Sequence, residues 1–349
     1  MNLIMQYNRS EEYMKNGMLV ISLDFELMWG MLDVKTITSY GSNVKNGKNN
    51  IPEILKLFKK YGIHATWGCV GLLYCNSIDE MYHNKPELLP SYNNSKLNSY
   101  LYFDKINYEN FPLFSANKEI DLIRKTEGQE IASHTFAHYY CVEDGQTEEE
   151  FEADIKKAKS IAKKNGDSIH SIIFPRNQFN KRYSRILKEN NIFFFRGNEK
   201  HFCYAPRKKT RDLLKRAIRL LDAYINLCGN HCYRLGEIEE NGLLNIRSSR
   251  FLRPYSKNFR CLELMRVKRI KKQMLYAAEN GLIFHLWWHP HNFGENTEKN
   301  LQILNDLLKY YKRLEKKYEM CSLNMREVGE KYYEDFGSGS RGRFYQYSS

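Results

Sequence analysis

The chain has 349 residues, with 54 Lys and Arg against 41 Asp and Glu for a net charge of +13, and 42% hydrophobic residues. That length and apolar content exclude a disordered chain and suit one large α/β domain or two ordinary ones. No apolar run nears the roughly 18 residues of a spanning helix. The N-terminus also lacks the basic, apolar and small-residue blocks of a signal peptide, so the expectation is a cytoplasmic protein.

The first predicted strand is Met18-Leu-Val-Ile-Ser-Leu-Asp24, rich in β-branched and large apolar residues. Asp24 and Glu26 stand two apart at its end, so on a continuing strand both carboxylates face one side. Two acids on an apolar element repel unless a metal or a shared proton offsets them. A Gly/Asn-rich loop is expected around Gly41 to Asn50. Ile51, Ile54, Leu55 and Phe58 then fall at helical spacing, with Pro52 in the first turn and Gly62 as the stop. His64 to Val70 reads as a second strand, completing a β-α-β unit of a parallel sheet. Residues 75–119, rich in Asn, Tyr and Ser, read as an insertion of loops and short helices.

A short strand, Glu130 to Ser133, runs into His134-Thr-Phe-Ala-His138. Read as a helical turn, that spacing points both imidazoles the same way, which suits one Zn²⁺ at about 2.0–2.1 Å from each. Thr147 and Glu150 form a capping box for a helix that turns Phe151, Ile155, Ala158 and Ile161 inward and stops at Gly166. Strand Ser171–Phe174 follows and ends in Pro175-Arg176, where the guanidinium can pair with a catalytic carboxylate. A helix over 180–190 and a strand over 192–195 lead into a second expected insertion, 198–255. A helix over 259–279 precedes strand Leu282–Trp288, and a long helix spans 297–317.

The last clear strand ends in Trp287-Trp288-His289-Pro-His291. His289 is the first choice for a general acid, because imidazole titrates near working pH. Trp288, with Trp29 and His291, is assigned to substrate contact, the indoles stacking on a sugar, while His285 and His64 read as structural. The eight cysteines show no C-x-x-C pair and read as reduced thiols. Cys228-Gly-Asn-His231-Cys232 has metal-ligand residue types but no second ligand pair. Basic residues crowd Arg207 to Arg219 and Arg266 to Lys272. No nucleic-acid module accompanies them, so they read as a solvated face or as a dock for anionic membrane or phosphate.

The candidate residues all sit at strand ends, where (β/α) barrels carry their active sites. An open doubly wound sheet is the alternative, but no Gly-rich phosphate loop follows the first strand. Two acids, three histidines and an arginine make the inventory of a metal-assisted hydrolase.

In these residues the chain resembles the polysaccharide deacetylase family (NodB homology, carbohydrate esterase family 4). Leu23-Asp24-Phe25-Glu26 stands where the family has adjacent acids, and His134 and His138 match its His-x-x-x-His motif. Pro175-Arg176 loosely matches the family's arginine motif, and His289 matches its late histidine. The D-F-E and H-P-H-N-F segments resemble a subgroup associated with bacterial surface polysaccharides. The resemblance implies an irregular (β/α)7-type barrel, here with two insertions, over residues 17–332. An N-terminal extension at 1–16 and a disordered tail at 333–349 flank it. It also implies a divalent metal, often zinc, held by Glu26 (or Asp24), His134 and His138. The other acid is then general base, His289 general acid, and Arg176 the group that keeps the base ionised. The implied substrate is an acetylated sugar, nucleotide- or lipid-linked if the protein works at the cytoplasmic face, with peripheral contact to an anionic membrane. An amidohydrolase acting on a cyclic or non-sugar amide and a non-catalytic glycan-binding relative are the other readings.

Overall fold

The computed structural model describes residues 16–204 and 213–336. The strands in chain order are β1 (Met18–Phe25), β2 (Ala65–Cys69), β3 (Gln129–Ser133), β4 (Ser171–Ile173) and β5 (Phe194–Arg196), then β6 (Glu239–Glu240), β7 (Leu243–Asn245), β8 (Arg250–Phe251), β9 (Ile283–Trp288) and β10 (Cys321–Leu323). The helices are α1 (Ile37–Asn49), α2 (Ile51–Tyr61), α3 (Ile78–His83), α4 (Asn117–Arg124) and α5 (Glu148–Lys164), then α6 (Ser184–Glu189), α7 (Leu213–Asp222), α8 (Glu263–Asn280), α9 (Thr297–Tyr318) and α10 (Met325–Phe336).

All ten strands form one sheet in the order β6-β7-β5-β4-β3-β2-β1-β9-β8, with β10 against β1, and every pairing but β6–β7 is parallel. Every residue of β1 is buried, as expected of a strand covered on both faces. The sheet curls into the irregular (β/α) barrel that the motifs implied. Because the strands are parallel, their C-terminal ends gather at one mouth. β6, β7 and β8 all fall within 198–255, so part of that stretch is sheet. No helix among the described residues is long and apolar enough to cross a membrane.

Local signals act where the sequence placed them. Gly62 ends α2 in the left-handed region (φ 60°), and Thr147 and Glu150 close the capping box of α5. Two readings need correction. Gly41 to Asn49 is helical and Asn50 is its C-cap: α1 starts from a capping box made by Thr36 and Ser39. Its Gly47 lies so close to the His291 turn that a Cβ would stand 2.4 Å from the His291 Cα. Second, residues 333–336 belong to α10 rather than to a tail. The rest of the expected tail, nearly all of the N-terminal extension, and Arg207, Lys208, Lys209 and Arg211 lie outside the described residues.

Candidate active site

β1 delivers Asp24 and Glu26 to the mouth of the barrel, almost fully buried. His134 Nε2 and His138 Nε2 lie 3.0 and 2.9 Å from the same Glu26 oxygen. The two histidines are not on a helical turn. They sit in a loop after β3, with Thr135 and His138 at φ 63° and 57°. The loop is held by Asp154 of α5, which accepts hydrogen bonds from the Phe136 and Ala137 amides at 2.6 and 3.1 Å. Thr135 Oγ1 accepts from the Tyr139 amide at 2.6 Å. A carboxylate and two imidazoles, all buried, have their ligand atoms within 4.8 Å of one another. That donor set fits a divalent ion of the zinc type. The Nδ1 atoms of both rings have no hydrogen-bond partner among the described residues. Packing, including the edge contact of His138 with Tyr140, therefore orients the rings. Gly30 is part of the same design, since a Cβ there would fall 2.0 Å from Glu26 Oε1.

Asp24 belongs to Arg196, a residue the sequence reading missed. The Arg196 guanidinium, fully buried at the end of β5, donates to both Asp24 oxygens at 2.6 and 2.8 Å. It also donates to Asn177 Oδ1 and to Ser22 Oγ, and it lies 4.2 Å from the centre of the Trp287 ring. Ser22 Oγ is 2.8 Å from His285 Nε2, and His285 Nδ1 is 3.0 Å from the Ile246 carbonyl. These partners fit a neutral imidazole that donates from Nδ1 and accepts from Ser22. Burial and the Arg196 charge push His285 down to about 3, in keeping with that form. Burial alone would raise the Asp24 carboxyl, but Arg196, and after it His289, hold it below the usual range. Burial likewise opposes ionisation of Glu26, and the surrounding histidines, His289 and His138 foremost, hold it well below.

Arg176 does not reach Asp24. Pro175-Arg176-Asn177 is a turn in which Arg176 and Asn177 both have positive φ (56° and 51°). This turns Asn177 inward to Arg196 and leaves Arg176 on the wall of the cleft, where it pairs with Asp33 and stacks 4.4 Å over the Tyr140 ring. The signal for Arg196 was present: a single charge closing an apolar strand, Phe193-Phe-Phe-Arg196.

His289 Nε2 stands 3.6 Å from Asp24 Oδ2 and 3.6 Å from Glu26 Oε1, and its Nδ1 is 3.3 Å from Asn292 Nδ2. His291 is buried and lines the same cleft. The two tryptophans assigned to substrate are core residues. Trp29 donates its indole N–H to the Phe114 carbonyl at 2.9 Å, and Trp288 stacks on Phe293. Side chains alternate along β9, so His285, Trp287 and His289 share the inner face and Trp288 faces the helices. Trp287 is the indole that lines the cleft.

The cleft has a volume of about 770 Å³. Its floor carries Asp24, Glu26, His138 and His289, and Lys215, Arg216, Arg219 and Arg253 line another wall.

Residues 39–194 match the model of the polysaccharide deacetylase family. That span holds His134, His138 and Arg176 and leaves Asp24, Glu26, Arg196 and His289 outside. No curated protein matches the chain. Among solved structures, a protein assigned as a polysaccharide deacetylase from Mycobacterium smegmatis aligns at 12% identity, covering 92% of this chain and 91% of its own, with a TM-score of 0.58. Another so assigned, from Pseudomonas aeruginosa PAO1, aligns at 11% identity, with 92% of each chain covered and a TM-score of 0.52. A 4-alpha-glucanotransferase from Thermococcus litoralis aligns at 12% identity over 91% of this chain and 41% of its own, with a TM-score of 0.50. At these identities the likeness is one of fold. The family resemblance read from the motifs stands as a finding through the match over 39–194.

Proposed function

We propose that the chain is a divalent-metal-dependent hydrolase that removes an acetyl group from an amino sugar or glycan, with residues 17–332 as its catalytic barrel. One observation carries the reading. Two acids from one strand end are divided between two environments, Glu26 among imidazoles and Asp24 against a buried guanidinium. Glu26, His134 and His138 would hold the metal, and Asp24 is left as the general base. A divalent cation there, Zn²⁺ by its donor types, would act as a Lewis acid toward the acyl carbonyl and the attacking water.

Asp24 takes the proton from that water as its oxygen adds to the acyl carbon. Arg196 keeps Asp24 ionised and fixes both of its oxygens. His289, within reach of both acids, gives a proton to the leaving amine or alkoxide as the acyl bond breaks, releasing acetate. Trp287 offers the sugar a ring face beside the reacting groups. The basic wall supports a substrate that also bears an anion, such as a nucleotide- or lipid-linked sugar of cell-surface polysaccharide synthesis. Leu213, Leu214 and Leu221 are 74%, 71% and 53% exposed among the basic residues of α7, which supports peripheral contact with an anionic membrane. The reading extends to a cytoplasmic site of action, where the eight free cysteines stay reduced.

The test is acetate release from acetylated amino sugars by protein of known metal content. Activity should follow metal occupancy and vanish in His134→Ala/His138→Ala. Turnover of cyclic imides without acetate release would favour the amidohydrolase reading, and metal-free protein that binds glycans without turnover would favour the non-catalytic one.

A further inference from the structure

The segment Cys228-Gly-Asn-His231 lacks a second ligand pair in sequence, and the fold supplies one. The chain leaving β5 carries His201-Phe-Cys203 back against the loop that follows α7. One ring nitrogen of His201 and the Sγ atoms of Cys203 and Cys228 lie within 4.8 Å of one another. Around a tetrahedral Zn²⁺ with bonds of about 2.0–2.3 Å, ligand atoms stand roughly 3.5–3.8 Å apart, so these three close by a contraction of at most about 1.3 Å. A second observation points to a ligand. His231 stands just outside that group of three, but its Nε2 is buried with no hydrogen-bond partner among the described residues, and its ring centre is 6.1 Å from that of His201. Cys232 is turned elsewhere, its Sγ lying near the Asn230 and Gln273 carbonyls at 3.5 and 3.7 Å.

We propose that His201, Cys203, Cys228 and His231 form a second metal site, a Cys₂His₂ centre for a thiophilic divalent cation such as Zn²⁺, distinct from the Glu26–His134–His138 cluster. The Cys-x-x-His spacing has the two-residue gap that structural zinc sites use, and His-x-Cys is one residue tighter. Charge balance agrees. Two thiolates neutralise a divalent ion, so the centre can sit beside Arg250 and Arg269. Asp222 answers those two cations, at 2.7 Å from Arg250 and 3.8 Å from Arg269. The same Asp222 accepts the Leu227 and Cys228 amides at 3.0 and 2.9 Å, which shapes the loop that presents Cys228. The role that follows is structural. Cys203 and Tyr204 line the cleft, so a metal clasp between 201–203 and 228–231 would fix the wall that faces the substrate. Each thiol gives up a proton when the metal binds.

Cobalt substitution tests this without reading activity, because thiolate ligands give a sulfur-to-cobalt charge-transfer band in the near ultraviolet and an all-nitrogen-and-oxygen site gives none. Reduced wild-type protein, loaded anaerobically with Co²⁺, should bind two equivalents and show the band. His134→Ala/His138→Ala should lose one equivalent and keep it. Cys203→Ser/Cys228→Ser should lose the band and the other equivalent, and His231→Ala should weaken cobalt binding at this site at least about 10-fold. Absence of the band in reduced wild-type protein overturns the proposal, as does a band that survives loss of both cysteines. A thiol titration showing Cys203 and Cys228 joined as a disulfide in freshly purified, unoxidised protein overturns it too. If the serine variant does not fold, the wild-type and histidine-variant spectra still decide.

Discussion

Asp24 and Glu26 are chemically alike and two residues apart, so their roles rest on what each one touches. Asp24→Asn should leave metal content unchanged and lower kcat by about 10²–10⁴-fold, the usual worth of a positioned general base. Glu26→Gln should lose the metal. Metal analysis beside steady-state kinetics checks both, and full activity in both variants would remove the assignment. The two arginines separate in the same way. Removing Arg196 strands a buried carboxylate, so Arg196→Ala should cost about 3–5 kcal/mol in urea denaturation. Arg196→Lys should also fail, because an ammonium has three donors and no planar fork, whereas Arg196 serves four acceptor atoms on Asp24, Asn177 and Ser22. Arg176→Ala breaks a partly exposed pair with Asp33 and should cost no more than about 1 kcal/mol. Equal losses at the two positions would return Arg176 to the role that the family motif suggests.

The barrel strands β1–β5 and β9 were legible because fully buried parallel strands are written as short apolar runs, and Asp24, His134 and His289 because they end such runs. What escaped was set by contacts between distant segments. Two glycines, Gly41 and Gly47, should weaken a helix by about 1 kcal/mol each, yet α1 forms because Gly47 lets it press against the His291 turn. The His134–His138 spacing looked helical, but Asp154, sixteen residues past His138, fixes a loop with two positive φ angles. β10, three residues long, has no signal apart from its neighbour β1. Trp288 was misplaced although the period of two, counted back from His289, selects Trp287. At this scale the Asp222–Arg250 pair joins α7 to β8 and makes a pH prediction. Burial would raise the Asp222 carboxyl, but Arg250 and the loop amides bring it down from 3.8 to about 2. A carboxylate lowered in the folded state contributes stability above its unfolded pKa and loses it as pH falls toward the folded value. Asp222→Asn should therefore cost about 2 kcal/mol at pH 7. The gap to wild type should narrow to roughly half near pH 3 and close below about pH 2. A gap independent of pH from 7 to 3, followed by denaturant titration, would mean that the pair contributes through packing rather than charge.

Across the whole molecule the net charge of +13 is organised, because part of it faces the reacting groups. Lys215, Arg216 and Arg219 of α7, with Arg253, line the cleft that has Asp24 and Glu26 on its floor. Arg250 nearby is already committed to Asp222. A cation row in a concave, low-dielectric setting raises the local concentration of an anionic substrate, and salt weakens that attraction over a Debye length of about 8–10 Å. Such a row acts on binding, not on the bond being broken, so its removal should appear in KM. Arg216→Glu/Arg219→Glu should raise KM for a phosphate-bearing acetylated sugar by about 10-fold or more and leave kcat within about 2-fold. The same change should flatten the salt dependence of kcat/KM, and a neutral acetylated oligosaccharide should be nearly indifferent to it. Steady-state kinetics on the two substrates at low and high salt separates the cases. If KM shifts equally for charged and neutral sugars, the row shapes the cleft without reading charge. If neither shifts, the anion is met elsewhere and the basic face of α7 is left for a surface outside the cleft.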